Sequence, residues 1–303
     1  MDGFLVVDKP AGMTSHDVVA RVRRILGQKK VGHTGTLDPF ATGVLPVALG
    51  EGTKAIPFLD ESRKEYHAVM RLGEATDTQD LTGQMIFHGD WRQLTPDGIE
   101  AVVRLFVGAI SQVPPMFSAL KLDGVPLYKL ARQGTEVERQ PRNIEIFSLS
   151  LERIELPDVA FSVVCSRGTY VRTLAADIGE RLGCGAHLRE LRRTRSGPFV
   201  IADAVTLEQL ADTVASDQAE SLVVSPLAAL SPIPEFPLTE RGVAKVSNGI
   251  VPDVGDLESS GDETLSGGRV RLSWRGRLVA VAEAAVANDG SHVQIQRLLR
   301  VFH

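Results

Sequence analysis

Asp38 is the only carboxylate in the stretch Gly32 to Pro46, GHTGTLDPFATGVLP, and its neighbours shape the backbone rather than share protons. Gly32, Gly35 and Gly43 allow backbone angles or close approaches closed to larger residues, and Pro39 pushes Asp38 toward an extended conformation. A loop of this kind displays one acid in a fixed pose, ready to act as a nucleophile or to move a proton. An Asx turn that only shapes the loop is the bland alternative. His33 offers an imidazole five residues earlier, as a contact, a base or a structural group.

Four further segments carry groups that could serve such an acid. Cys165 to Arg172, CSRGTYVR, joins an apolar approach to a glycine turn, then an aromatic, Tyr170, and Arg172 two residues later. An arginine beside Asp38 would orient it by charge-assisted hydrogen bonds and hold it ionised, so its pKa should fall rather than rise. Lys64 to Gly73, KEYHAVMRLG, presents Tyr66 and is followed by Asp77 and Asp80, which read as turn-forming because a full alternating calcium loop is absent. Pro114 to Lys121, PPMFSALK, pairs prolines with a Met-Phe step and a lysine. Leu188 to Arg195, LRELRRTR, belongs to a span from Arg167 to Arg195 with seven arginines against three acids.

Together with VDKPAGMTS near the N-terminus, these segments resemble the TruB family of tRNA pseudouridine synthases over roughly residues 3 to 197. The resemblance implies that Asp38 attacks a uridine in the T stem-loop of tRNA, at the expected position 55. It implies that Arg172 pairs with Asp38, that Tyr66 stacks on the flipped base, and that Tyr170, Leu191 and His33 complete the pocket. Lys9, Lys64, Lys121, Arg189, Arg192, Arg193 and Arg195 are the expected RNA contacts, and an insertion near 114–142 is expected to close over the RNA. Phe117 stands where related sequences often carry another aromatic, which keeps stacking but removes any hydroxyl bond.

The isomerisation needs the glycosidic bond broken, the base turned while held, and C5 joined to the same ribose. No nicotinamide, phosphate donor or metal is required, and the sequence has no P-loop, dinucleotide fingerprint or paired metal ligands. No cofactor is expected. Attack at C1′, attack at C6 and loss of a sugar proton all stay open as routes. Two other readings compete: a guide-RNA-dependent pseudouridine synthase, and a non-catalytic RNA-binding or assembly protein. The first usually carries basic extensions, and the second gives no reason for a carboxylate at the centre of a polyanion site. A stand-alone enzyme, acting as a monomer, is the expectation.

The elements that must position these groups follow from periodicity. Phe4 to Val7, Val44 to Leu49, Tyr66 to Leu72, Asn143 to Ile154 and Val159 to Cys165 read as strands. Ser15 reads as the cap of a helix ending at Gly27, Thr95-Pro96 starts another, and a third runs from Tyr170 to Leu182. Short helical patterns lie around Thr206 to Leu210 and Gln218 to Leu227. Without a regular βα alternation this is α+β: a mixed, largely antiparallel sheet with flanking helices, pseudouridine synthase-like by resemblance. Residues 1–231 form the expected catalytic domain. After a proline-rich break, residues 236–303 hold an acidic loop, Asp253 to Gly268, and three β-rich runs. They read as a small separable domain, PUA-like by resemblance or a structural cap, whose removal should leave the chemistry intact.

The net charge of −5 conceals a division: Asp203 to Glu263 holds twelve acids against two bases, which leaves the rest of the chain positive. With 303 residues, 43% of them hydrophobic, the chain can bury a substantial core. Two cysteines, no long apolar run and no basic leader point to a cytoplasmic protein without a disulfide framework and without a membrane anchor.

Overall fold

The computed structural model describes residues 1–258, 267–286 and 293–303. A ten-stranded sheet forms the centre, and its main path runs Val223–Val224, Gly3–Lys9, Thr42–Leu49, Ala186–Ser196, Arg63–Leu72, Asp158–Ser166, Arg142–Glu155 and Gly108–Gln112. Along that path only the contact between Thr42–Leu49 and Ala186–Ser196 is parallel. The α+β expectation is met. Arg63–Leu72 shows why the chain pairs here: Lys64, Tyr66, Ala68, Met70 and Leu72 are buried, while Arg63 and His67 stay exposed. That period of two presents one apolar face to the core.

The two faces of the sheet support different partners. Leu5, Val7, Leu45, Val47, Tyr66, Ala68, Met70, Phe161 and Leu191 share one core with the helices Ser15–Leu26 and Val171–Arg181. On the other face, Phe4, Val6, Val44 and Ala48 pack with Leu278, Val281 and Phe302. The C-terminal segment therefore completes the core of the large sheet. It also has a sheet of its own, Glu235–Pro237, Gly268–Trp274, Arg277–Val286 and Val293–Val301, with a core built on Phe236, Val246, Leu272 and Ala282. Arg271 ties the two units, donating to the carbonyls of Leu227 and Ile233 at 2.6 Å each.

Several local readings need correction. Thr14, not Ser15, caps the first helix, through a reciprocal box with Asp17. Gln218 to Leu227 breaks into a single 3-10 turn, a two-residue strand and the start of a four-residue helix, because Pro226 can begin a helix but not continue one. The helix Glu240–Ser247, capped by Thr239, was not expected from the sequence. The acidic loop is described only to Glu258 and from Gly267; the rest of that reading lies outside the described residues. Among the described residues, no helix is long and apolar enough to cross a membrane.

Candidate active site

The loop that carries Asp38 is held at nearly every backbone carbonyl. Arg193 donates from Nε to Val44 at 2.8 Å, and its two terminal nitrogens reach the carbonyls of Thr36 and Gly35. Ser15 accepts from the Leu37 amide at 2.9 Å and donates back to the Leu37 carbonyl, and Gly12 donates to Pro39 at 2.8 Å. Lys9 Nζ donates to the carbonyls of Pro10, Met13 and Pro39. Gly43 has a left-handed φ of +100°, and a Cβ there would stand 2.2 Å from the Arg193 carbonyl oxygen. Gly35 leaves room for Lys64 Nζ, 2.7 Å from where a Cβ would be; Gly32 meets neither condition, and nothing in the structure explains it. The loop is rigid because buried cations and one serine saturate its carbonyls.

Arg172 is the hub of the site. It is 3% exposed at the start of Val171–Arg181, with Nε 2.8 Å from Asp38 Oδ2 and a terminal nitrogen donating to Asp38 Oδ1 at 3.3 Å. The same guanidinium donates to Asp80 Oδ2 at 3.2 Å, to the Thr78 carbonyl at 3.0 Å and to the Phe117 carbonyl at 2.9 Å. Asp80 is thus more than a turn former. One oxygen organises the turn through Thr78 and Thr82, and the other balances the arginine. The sequence hid this because the partners lie 92 positions apart.

The Asp38 carboxyl departs from expectation in its titration. Burial raises its pKa above the ordinary aspartate range, and the Asp80 carboxylate adds to the rise, while Arg172, Lys9 and Arg193 pull the other way. The expected fall is therefore corrected: the arginine orients the acid and lowers its pKa, but lost hydration outweighs that pull. The Asp38 side chain is still 32% exposed, so part of it reaches solvent.

Tyr66 and Tyr170 lie close enough to feel the Asp38 charge, whereas the charged and titratable groups around His33 are His16, Arg193, Glu61 and Lys64. Burial pushes the Tyr66 hydroxyl up to about 12, against the opposing pull of the neighbouring Arg193. Tyr170 is half-buried, and burial raises the pKa of its hydroxyl. Leu191 and Leu37 share the core cluster of Tyr66. His33 sits edge-on to His16, ring centroids 5.1 Å apart, and burial lowers its pKa, so the neutral ring is favoured.

The expected RNA contacts divide sharply. Lys9 and Arg193 are fully buried and spend their donors on the loop, so neither can meet a phosphate. Lys64 is only 8% exposed, beneath Gly35, and burial lowers its pKa to about 8. On Ala186–Ser196, Arg193 lies opposite Tyr66, whereas Arg192 pairs in register with His67 and Arg195 with Glu65. Strand alternation, with a bulge after Arg193, turns Arg192 and Arg195 to the face away from Tyr66. There they pair with Asp8 and Glu65, and Arg189 pairs with Asp158. Lys121 is exposed on the insertion, in the short hairpin Lys121–Leu122 and Val125–Pro126.

Comparison with known proteins settles the family. Residues 23–171 match the TruB family pseudouridylate synthase N-terminal domain, and residues 172–232 match the tRNA pseudouridylate synthase B C-terminal domain. A protein of Geotalea uraniireducens named tRNA pseudouridine synthase B is 62% identical over the whole chain and 98% of its own length. Its namesake in Geobacter sulfurreducens is 58% identical over the full length of both. The chain belongs to the TruB family. As a TruB enzyme it is an isomerase, a pseudouridine synthase. Among solved structures, a Cbf5-Nop10-Gar1 complex matches with a TM-score of 0.74 at 31% identity, covering 99% of this chain and 85% of that one. An H/ACA RNP bound to a substrate RNA containing 2′-deoxyuridine matches with a TM-score of 0.73 at 30% identity, covering 98% and 85%. The boundary between the two TruB matches falls at Arg172, at the start of the helix Val171–Arg181, and neither match reaches the C-terminal sheet.

Proposed function

We propose that the protein converts uridine to pseudouridine in the T arm of tRNA, at position 55, with Asp38 as nucleophile. The observation that carries this reading is the Asp38 carboxylate, partly exposed on one side and facing a buried Arg172 on the other, one oxygen accepting from a terminal nitrogen and the other 2.8 Å from Nε. An acid held so cannot rotate away from a base drawn into the cleft, and its ionised form is the attacking species. Tyr66 and Tyr170 hold the extruded uracil, while Leu191 and His33 shape its pocket. Lys121 contacts the RNA from the insertion near 114–142. Asp38, Asp80, Arg172 and both tyrosines come from one chain, which supports catalysis by a monomer. Residues 1–231 hold the chemistry, and 236–303, a PUA-like unit in this reading, offer a second surface to full tRNA. The names of the relatives at 58–62% identity favour this over the guide-RNA-dependent reading, whose solved neighbours stand at about 30%.

The test follows the C5 hydrogen, which leaves when C5 bonds to the ribose. Tritium release from C5-labelled uridine in a T-arm hairpin should proceed with the parent protein and stop with Asp38→Asn, which keeps shape but loses charge. Hairpin affinity should persist in the variant. Release by Asp38→Asn near the parent rate would remove Asp38 from its role.

A further inference from the structure

Tyr170 precedes the helix that aims Arg172, and its backbone is extended, with φ −100° and ψ 105°. Among the described residues, no strand pairs with it. In place of a strand stands one side chain, Gln112, 2% exposed and 58 positions away. Its Nε2 donates to the Tyr170 carbonyl at 3.1 Å, and its Oε1 accepts from the Tyr170 amide at 2.9 Å. The side-chain amide thus imitates an antiparallel partner: it gives the Tyr170 amide its acceptor and adds a second donor to a carbonyl that also takes the first helical bond from Leu174 at 3.0 Å.

The location of Gln112 adds to this. It closes the strand Gly108–Gln112, pairs in register with Arg142, and so stands at the root of the segment 113–141. That segment returns to the site through the Phe117 carbonyl, which accepts from Arg172 at 2.9 Å. The root of the insertion therefore holds the Tyr170 backbone, and its interior meets Arg172 two residues on.

We propose that Gln112 is a positioning residue for the isomerisation, fixing the Tyr170 backbone so that Arg172, two residues on, keeps Asp38 in its attacking pose. This rests on the reading of Asp38 and Arg172 given above. Gln112 touches no reacting atom. Its removal should appear in the chemical step and leave RNA affinity alone, because small misplacements of reacting groups cost rate far more than binding.

Two variants separate the functions of the amide. Gln112→Leu removes both hydrogen bonds, and Gln112→Glu keeps length and the acceptor but turns a carboxylate oxygen on the Tyr170 carbonyl. The reading is single-turnover tritium release from a saturating C5-labelled T-arm hairpin, with hairpin affinity and thermal midpoint measured on the same samples. Each variant should lose about tenfold or more in rate while affinity stays within about twofold. Gln112→Glu keeps the test readable should Gln112→Leu fail to fold. In an Arg172→Lys background the same changes should cost much less, since their effect runs through Arg172. Rates within about twofold of the parent, losses that merely track folded fraction or affinity, or full multiplication with Arg172→Lys would each overturn the proposal. An unimpaired Arg172→Lys would sink the underlying reading instead; an impaired Arg172→Lys beside silent Gln112 variants would sink only this one.

Discussion

In the proposed reaction Asp38 must be charged in a place that resists charge, and its charged neighbours act on it in opposite senses. Burial and the Asp80 carboxylate raise its proton affinity, while Arg172 lowers it. In the proposed reaction the attacking form is the carboxylate, so activity should be lost as pH falls through this pKa, and its raised value should place the acid limb above that of an ordinary aspartate. A pH profile of single-turnover tritium release should show that limb. Asp80→Asn should move it to lower pH, since a like charge is removed, and should also lower the plateau, since Arg172 loses an anchor. A limb that stays put would mean that Asp80 does not couple to the acid.

The strand Ala186–Ser196 shows how a single element can mislead a reader of its composition. Its arginines look like one basic strip, yet alternation and a bulge send Arg193 into the interior and Arg192 and Arg195 to the opposite face. Arg193→Ala should therefore cost stability, roughly 2–4 kcal/mol from orphaned loop carbonyls, measurable by denaturant unfolding. Arg195→Ala, an exposed pair member, should change it by less than about 1 kcal/mol. Lys121→Ala should reduce the salt dependence of RNA affinity by about one unit of slope, and more than Arg192→Ala or Arg195→Ala does. What could be read from sequence was local: the Asp38 loop with its glycines, the alternation of Tyr66 to Leu72, the cap at Thr95. What could not were facts of register and distance. The bulge after Arg193, the Arg172–Asp80 pair and the Gln112 clamp each depend on segments dozens of positions apart meeting in one place.

Across the whole molecule, the division into a catalytic part and a tail is less clean than composition suggests. Phe4, Val6, Val44 and Ala48 are covered by Leu278, Val281 and Phe302, so deleting 236–303 would strip an apolar face from the sheet that carries the Asp38 loop. The truncated chain should aggregate or melt well below the parent, as circular dichroism and limited proteolysis would show, and hairpin turnover should fall with it. A truncated protein as stable and active as the full chain would restore the picture of a detachable tail. Arg271, with its grip on Leu227 and Ile233, bears on recognition as well as on stability. It leaves no loose hinge between the C-terminal sheet and Asp38, so the separation between them acts as a fixed gauge. An RNA that touches both ends is measured against that length, and one with a stem a base pair too long or too short must bend to fit.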